Sequence, residues 1–367
     1  MLKKEKVSAS QFTILVILFV LGSSILYLPA LVTSVADQDA IFSAIIASIC
    51  GGLLAFFYAK FGTLFPTKSY IEVIKATVGV KIGFPFIFIT FSYFVFLCAV
   101  LLWDIGDFMV TQILPGTPIQ SIYILFLAVV VYVTRLGIET IARTGEIFLP
   151  WISLLFGALI LLLLPEIDWT NIEPLFENGL KPVLYGSYHM IGFPFIEMFI
   201  LLMFTPYIKN SQHLPKAFVI GLVIGSIVLT TLIAYCVLIL GSGITTRQEY
   251  PIYVLGKKVS IGNFLERLEI IVAIMWIISI FFKLTLTFYG LCLGMAQFLN
   301  LQEYKTISFP LAIFIYVATL IFFPSSIYLK EYSQYASTPF IITVGFILPG
   351  IIYGIAKWKK RRRVVHD

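Results

Sequence analysis

Apolar residues in this chain arrive in blocks of twenty or so, and that single feature decides its solvent. A helix rises 1.5 Å per residue, so about twenty residues cross the roughly 30 Å of hydrocarbon in a bilayer. Inside that slab each backbone amide must pair within its own segment, which makes the blocks helices. Only 12% of the residues are charged, where a soluble domain keeps roughly a quarter. The mean hydropathy of +1.00 agrees. The spacing predicts an all-α polytopic membrane protein of ten transmembrane helices, at 10–35, 39–62, 84–112, 118–135, 143–164, 183–208, 216–241, 262–298, 306–323 and 336–357.

The charges orient those spans. With the N terminus inside, 18 of the 25 Lys and Arg fall on the inner side and 5 in the outer loops. By the positive-inside rule both termini are expected in the cytoplasm. The KWKKRRR run at 357–363, with the basic tail 358–367, follows the last span directly and reads as a topology anchor and contact for anionic lipid. A net charge of +6 would also suit nucleic acid, but no aromatic-interleaved basic domain is present to bind it. The opening MLKKEKVSAS resembles a signal n-region, yet the apolar stretch after it is long and lacks a small-residue cleavage site, so an uncleaved first span is expected. Cys50, Cys98, Cys236 and Cys292 lie inside apolar blocks without metal-like spacing and read as packed thiols. No metal or cofactor motif and no nucleophile–base pair is found, so no enzyme is expected; His189 and His213 are assigned no chemistry. The acidic loop PEIDWTNIEPLFENG at 165–179 suits an ordered outer cap.

The most informative positions are those where helices should fail. The first block carries Gly22-Ser23-Ser24 at its middle, about 15 Å from Phe12. The sixth carries Gly192-Phe193-Pro194, with Gly192 about 14 Å from Val183. Glycine weakens a helix interior and proline removes an amide donor. Both breaks lie near the bilayer midplane, and each is in the first span of a group of five. Five is odd, so the second group starts from the opposite face. The chain is therefore read as one integral membrane domain of two inverted repeats, 10–164 and 183–357. Interrupted spans at matching places in inverted halves point to a transporter-type site. Amides freed near Ser24 suit a carboxylate and carbonyls freed near Ile191 suit an ammonium, so a zwitterionic amino acid would satisfy both. The alternative is that these Gly and Pro residues merely allow close packing or a kink.

These residues resemble the permease-like B subunits of spore germinant receptors, within the amino acid–polyamine–organocation superfamily. The resemblance covers nearly the whole chain. It rests on SASQFTILVILFVLGSSILYLP at 8–29, LPGTPI at 114–119, GIETIARTGEIFLP at 137–150, NIEPLFENGLKPVLYGS at 171–187, FPFIEM at 193–198, EYP at 249–251 and FLERLE at 264–269. It implies the LeuT-type five-plus-five inverted-repeat fold with helices 1 and 6 broken. It further implies a multi-pass protein of the spore inner membrane or cell membrane that senses a small germinant such as an amino acid, with A and C receptor subunits as partners. A proton-coupled amino acid or polyamine transporter is the competing expectation.

The candidate ligand-binding residues are Gly22, Ser23, Ser24, Tyr93, Gly192, Phe193, Pro194 and Glu197, and Lys283 is the candidate for ion coupling. Glu197 meets the positive end of a restarted half-helix, either for ligand or as a partner for Lys283. Lys283 lies about 21 Å down its helix from Glu269. Its ammonium either takes the cation position that the LeuT-type fold places between spans 1 and 8, or snorkels to the interface. Ser23 and Ser24 either cap the half-helix or touch ligand. The Tyr93 hydroxyl is level with both breaks and placed to meet a carboxylate, or is packing; Phe193 either closes over a ligand or packs. Asp104 and Asp107 share a helix face, either drawing cations into an outer vestibule or solvated near an interface. Glu266, Arg267 and Glu269 read as an outer ion-pair or subunit contact, or as a solvated helix end.

Overall fold

The computed structural model describes residues 6–258, 268–323 and 335–366. Among them the secondary structure is helical apart from one isolated parallel bridge between Val7 and Ile208. The chain runs α1 (Ala9–Leu21), α2 (Ser24–Ala36), α3 (Ala40–Leu64), α4 (Tyr70–Phe108), α5 (Ile119–Leu136), α6 (Ile138–Leu163), α7 (Leu180–Met190), α8 (Leu214–Tyr235), α9 (Gly241–Arg247), α10 (Pro251–Lys258), α11 (Glu269–Leu299), α12 (Lys305–Phe322), α13 (Ser337–Ile341) and α14 (Leu348–His366). Beyond α7 the sixth span continues as a π-helical turn, Ile191–Phe195, and a 3-10 stretch, Ile196–Met203.

Nine helical stretches among the described residues are long and apolar enough to cross a membrane. One of them, Ser24–Leu64, is interrupted at Asp37, whose positive φ of 47° ends α2 before α3 begins. The shorter α1 joins α2 across Gly22 and Ser23 to complete the first span, which accounts for the ten blocks of the sequence. Leu53, Leu161, Ile313 and Ile321 are each about two-thirds exposed. Large apolar side chains on so many outward faces require lipid as solvent, and the chain is a multi-pass membrane protein.

Three elements sit at the centre, one of them α11, in which every residue from Phe282 to Gly294 is buried. Every residue of α1 from Leu15 to Leu21 is buried, and so is every residue from Ile196 to Met203. A helix that is apolar and buried all round belongs inside a bundle. α1 and the stretch 196–203 belong to the two broken spans. The amide of Val7, just before α1, donates to the Tyr207 carbonyl at 2.8 Å, and Lys209 donates back to Val7 at 3.0 Å. Span 1 therefore starts where span 6 ends, and the two run in opposite directions.

Local chemistry fixes the helix ends. Ser8 and Gln11 form a reciprocal capping box at α1, and Ser69 and Glu72 do the same at α4. Gly79, at φ +80°, kinks α4 in a conformation that a side chain would strain. The loop at 165–179 is tied down. Gln38 donates to the Pro174 carbonyl at 2.7 Å, the Asp39 carboxylate accepts from the Phe176 amide, and Asn171 donates to the Leu238 carbonyl at 2.9 Å. Cys98, Cys236 and Cys292 are buried free thiols and Cys50 is half-buried.

Small residues let α8 lie against α1. A Cβ built on Gly221 would sit 2.6 Å from Val16 Cβ, whereas one on Gly157 in α6 meets nothing within 4 Å. Gly221→Ala is expected to lower thermal stability in detergent through overpacking of about 1–3 kcal/mol. Gly157→Ala should hold or raise it, because alanine is the better helix former by roughly 1 kcal/mol. Equal melting temperatures for the two variants would contradict this packing.

Candidate functional site

The first break begins at Gly22, whose amide still donates to the Leu18 carbonyl at 3.0 Å before the chain turns through φ 20°, ψ −123°. A Cβ here would collide with the Lys283 side chain of α11 and stand 3.0 Å from the Phe19 carbonyl oxygen. Glycine therefore supplies both the turn and the space through which the lysine reaches inward. In the second break Phe193 leaves helical geometry at φ −119°, ψ 111°, and Pro194 has no amide to donate. Just beyond the break, Tyr58 of α3 donates toward both Ile196 O, at 3.0 Å, and Gly345 O of the tenth span, at 2.9 Å. Gly192 packs on Thr338 of α13, where a Cβ would stand 2.7 Å from the Thr338 methyl.

The two breaks meet at one buried charge pair. Lys283 Nζ lies 2.5 Å from Glu197 Oε2, with the lysine side chain fully buried and the glutamate 2% exposed. The Tyr93 hydroxyl of α4 donates to Glu197 Oε1 at 3.0 Å. The ammonium also stands 4.6 Å from the centre of the Phe193 ring and 5.4 Å from that of Phe19. Coulomb attraction, a hydroxyl donor and two ring faces together offset the cost of taking both charges out of water. Phe193 belongs to the second break, and Lys283 fills the space beside the first. One ion pair thus touches span 1, span 3, span 6 and span 8.

The structure corrects several expectations. Lys283 does not snorkel; its chain turns inward because Gly22 leaves room and Glu197 awaits it. Ser23 occupies the N-cap position of α2 but has helical φ/ψ, and its side chain makes no capping bond. Ser24 Oγ is buried without a hydrogen-bond partner. Asp104 is not solvated but 4% exposed. Asp107 is half-buried and accepts from the Tyr250 hydroxyl at 2.5 Å. Of the FLERLE motif, Glu266 and Arg267 lie outside the described residues, while Glu269 opens α11 and is buried. The 262–268 start expected for the eighth span lies mostly outside them too. His189 is buried with its Nδ1 3.2 Å from Thr338 Oγ1, and His213 is exposed. No group of three or more metal-ligating residues occurs among the described residues.

Sequence reasoning missed Tyr58, Phe19 and Thr338, because nothing in their local spacing marks them; only the fold brings them to the breaks. Tyr27, Tyr250 and Trp276 were missed for the same reason.

The comparisons with known proteins agree with this architecture. A family profile described as "Spore germination protein" matches residues 6–327. The chain belongs to the spore germination protein family. It is 26% identical over 366 residues to spore germination protein KB of Bacillus subtilis, covering 99% of this chain and 97% of that one. It is likewise 26% identical to B. subtilis spore germination protein YndE, covering 97% and 98%. Among solved structures it resembles Mhp1, a nucleobase-cation-symport-1 family transporter, with a TM-score of 0.71 and 14% identity over 95% of this chain and 78% of that one. It also resembles MhsT, solved in complex with L-phenylalanine, with a TM-score of 0.58 and 15% identity over 96% and 99%. At such identities these neighbours establish the fold, which is the LeuT-type inverted repeat of five and five helices.

Removing one partner of the pair leaves a buried charge uncompensated, at a cost of about 3–5 kcal/mol. Lys283→Met is therefore expected to lower the melting temperature in detergent sharply. The double variant Glu197→Gln, Lys283→Met should recover most of the loss. If the double variant is no more stable than Lys283→Met alone, the two side chains are not coupled as described.

Proposed function

We propose that this chain is the permease-like subunit of a spore germinant receptor, holding a small germinant, first an amino acid, between the broken helices and passing its binding on as the germination signal. The observation that carries this is the meeting of both breaks on the one buried Lys283–Glu197 pair, in a member of the spore germination protein family. Gly22, Ser23 and Ser24 present the N-terminal end of α2 to a ligand carboxylate. Gly192, Phe193 and Pro194 present the carbonyl end of α7 and an aromatic cover to its ammonium. Tyr93 and Glu197 set the charge of the floor, and the Lys283 ammonium stands in the position a coupling cation would take. The amino-acid scale of the ligand is supported by the fold neighbour solved with L-phenylalanine. On this proposal the chain resides in the spore inner membrane with both termini cytoplasmic, and works with A and C receptor subunits that carry the signal onward.

Proton-coupled transport of an amino acid or polyamine is the second reading, favoured by a buried acid–base pair of the kind that relays protons across membranes. One experiment separates the two. Spores lacking the gene are followed for dipicolinic acid release over a panel of amino acids, sugars and nucleosides. Selective loss of the response to one amino acid, restored by the wild-type gene but not by Gly22→Val, with bulk uptake in growing cells unchanged, is the expected outcome. Intact germination with reduced uptake would instead make the chain a working permease.

A further inference from the structure

Among the described residues, the charges buried around the site do not balance. Lys283 is the one Lys or Arg that is buried among the described residues, and Glu197 already takes it at 2.5 Å. Asp104, on the same helix as Tyr93, is buried to 4% exposure, and the charges that act on it are Lys283, Asp107 and Glu249. Among the described residues, two buried carboxylates at the site thus share a single ammonium, and the other charged groups acting on Asp104 are Asp107 and Glu249. A buried carboxylate without a counter-charge is expensive, and it is relieved either by a proton or by a cation.

The groups around Asp104 are built for a cation. The Tyr27 hydroxyl faces its carboxylate and also lies 3.4 Å from the Tyr250 hydroxyl, which gives its own proton to Asp107. Tyr27 has one proton to offer, against the several acceptor positions of a carboxylate. The Tyr27 and Tyr250 rings meet edge to face at 5.4 Å and form an aromatic wall. Ser24, one turn before Tyr27 on the same face of α2, has a fully buried hydroxyl with no partner. Trp276, two turns before Lys283 on the same face of α11, packs its ring 4.7 Å from Phe108, one turn beyond Asp104. Its indole N–H is likewise buried and unpartnered. Two buried polar groups, one a turn from Tyr27 and one packed on the helix that carries Asp104, are thus left for a ligand to pair.

We infer that Asp104, with Tyr27, forms a subsite for a ligand ammonium or guanidinium beyond the helix breaks, so that the site prefers ligands with a second cationic group. This inference rests on the reading that an amino-acid-like ligand sits between the breaks, and it adds the net charge that ligand carries. The α-carboxylate and α-ammonium would take the two helix ends while the side-chain cation meets Asp104. Asp107 is less suited, because it is half exposed and engaged by Tyr250.

The test is binding of L-lysine and L-norleucine, which differ only by the terminal ammonium, to the purified full chain in detergent. L-Lysine is expected to bind at least about tenfold more tightly, the equivalent of one good charge-assisted contact. Asp104→Asn, which keeps the shape and a Tyr27 partner, is expected to bring the two within about threefold while norleucine binding stays as it was. Tyr27→Phe keeps the carboxylate and should retain part of the preference. Equal wild-type affinities, or a lysine preference that survives in Asp104→Asn, would overturn the subsite and leave the amino-acid reading standing. Failure of both amino acids to bind the wild-type chain would overturn the subsite, and the amino-acid reading would then stand or fall on the germination panel.

Discussion

Hydrocarbon offers no hydrogen bonds, and that constraint organises the molecule. Every backbone group within the slab must find its partner in protein, so a spanning helix is broken only where other side chains complete it. Spans 1 and 6 are broken, and both hold stretches buried on all faces, as does the unbroken α11 from Phe282 to Gly294. The two facts belong together. Irregular backbone is stable at that depth only in the middle of the bundle, where Tyr58 reaches the carbonyls of Ile196 and Gly345. The outer helices turn leucine and isoleucine to lipid.

Within that frame the buried ion pair determines what the breaks can hold. Glu197 lies in the first turn of the restarted sixth span, near the positive end of its dipole, and Tyr93 donates to its second oxygen. Lys283 arrives through the space that Gly22 leaves. A side chain at position 22 would displace the lysine, and a shorter residue at 283 would leave the carboxylate uncompensated. The glycine of one span, the glutamate of another and the lysine of a third are therefore a single unit, although they are far apart in the chain.

Much of the fold was legible in the sequence because its cause is local. Block length gives the spans, Gly22 and Pro194 give the breaks, and the odd number of crossings between them gives the inversion. Glu197 and Lys283 stood out because charge is costly inside an apolar run. What the sequence did not disclose depends on direction and distance. Whether Lys283 turns outward to an interface or inward to Glu197 is decided by a vacancy beside a glycine on another helix. Ser23 has the residue type of a cap, yet its backbone conformation withholds the bond. Asp104 and Asp107 share a helix face by spacing alone, but Tyr27 of α2 and Tyr250 before α10 meet their carboxyl groups, and Trp276 of α11 packs on the neighbouring Phe108. Tyrosine and tryptophan are frequent in this chain, and periodicity gives no means of choosing three among them.

A buried ion pair contributes little net stability over an apolar substitute, whereas losing one member of it is costly. The asymmetry bears on entry to this site. A ligand with a carboxylate alone could draw Lys283 away only by stranding Glu197, and a simple amine alone would strand Lys283. A ligand that brings both charges can exchange partners with the pair and leave no charge uncompensated. Selectivity for doubly charged ligands would then need no further contacts, since the penalty for the wrong ligand is already set by the pair. The rigid neighbours of the pair, Tyr93 and the rings of Phe19 and Phe193, stand on spans 3, 1 and 6, so any such exchange must be felt by three spans at once.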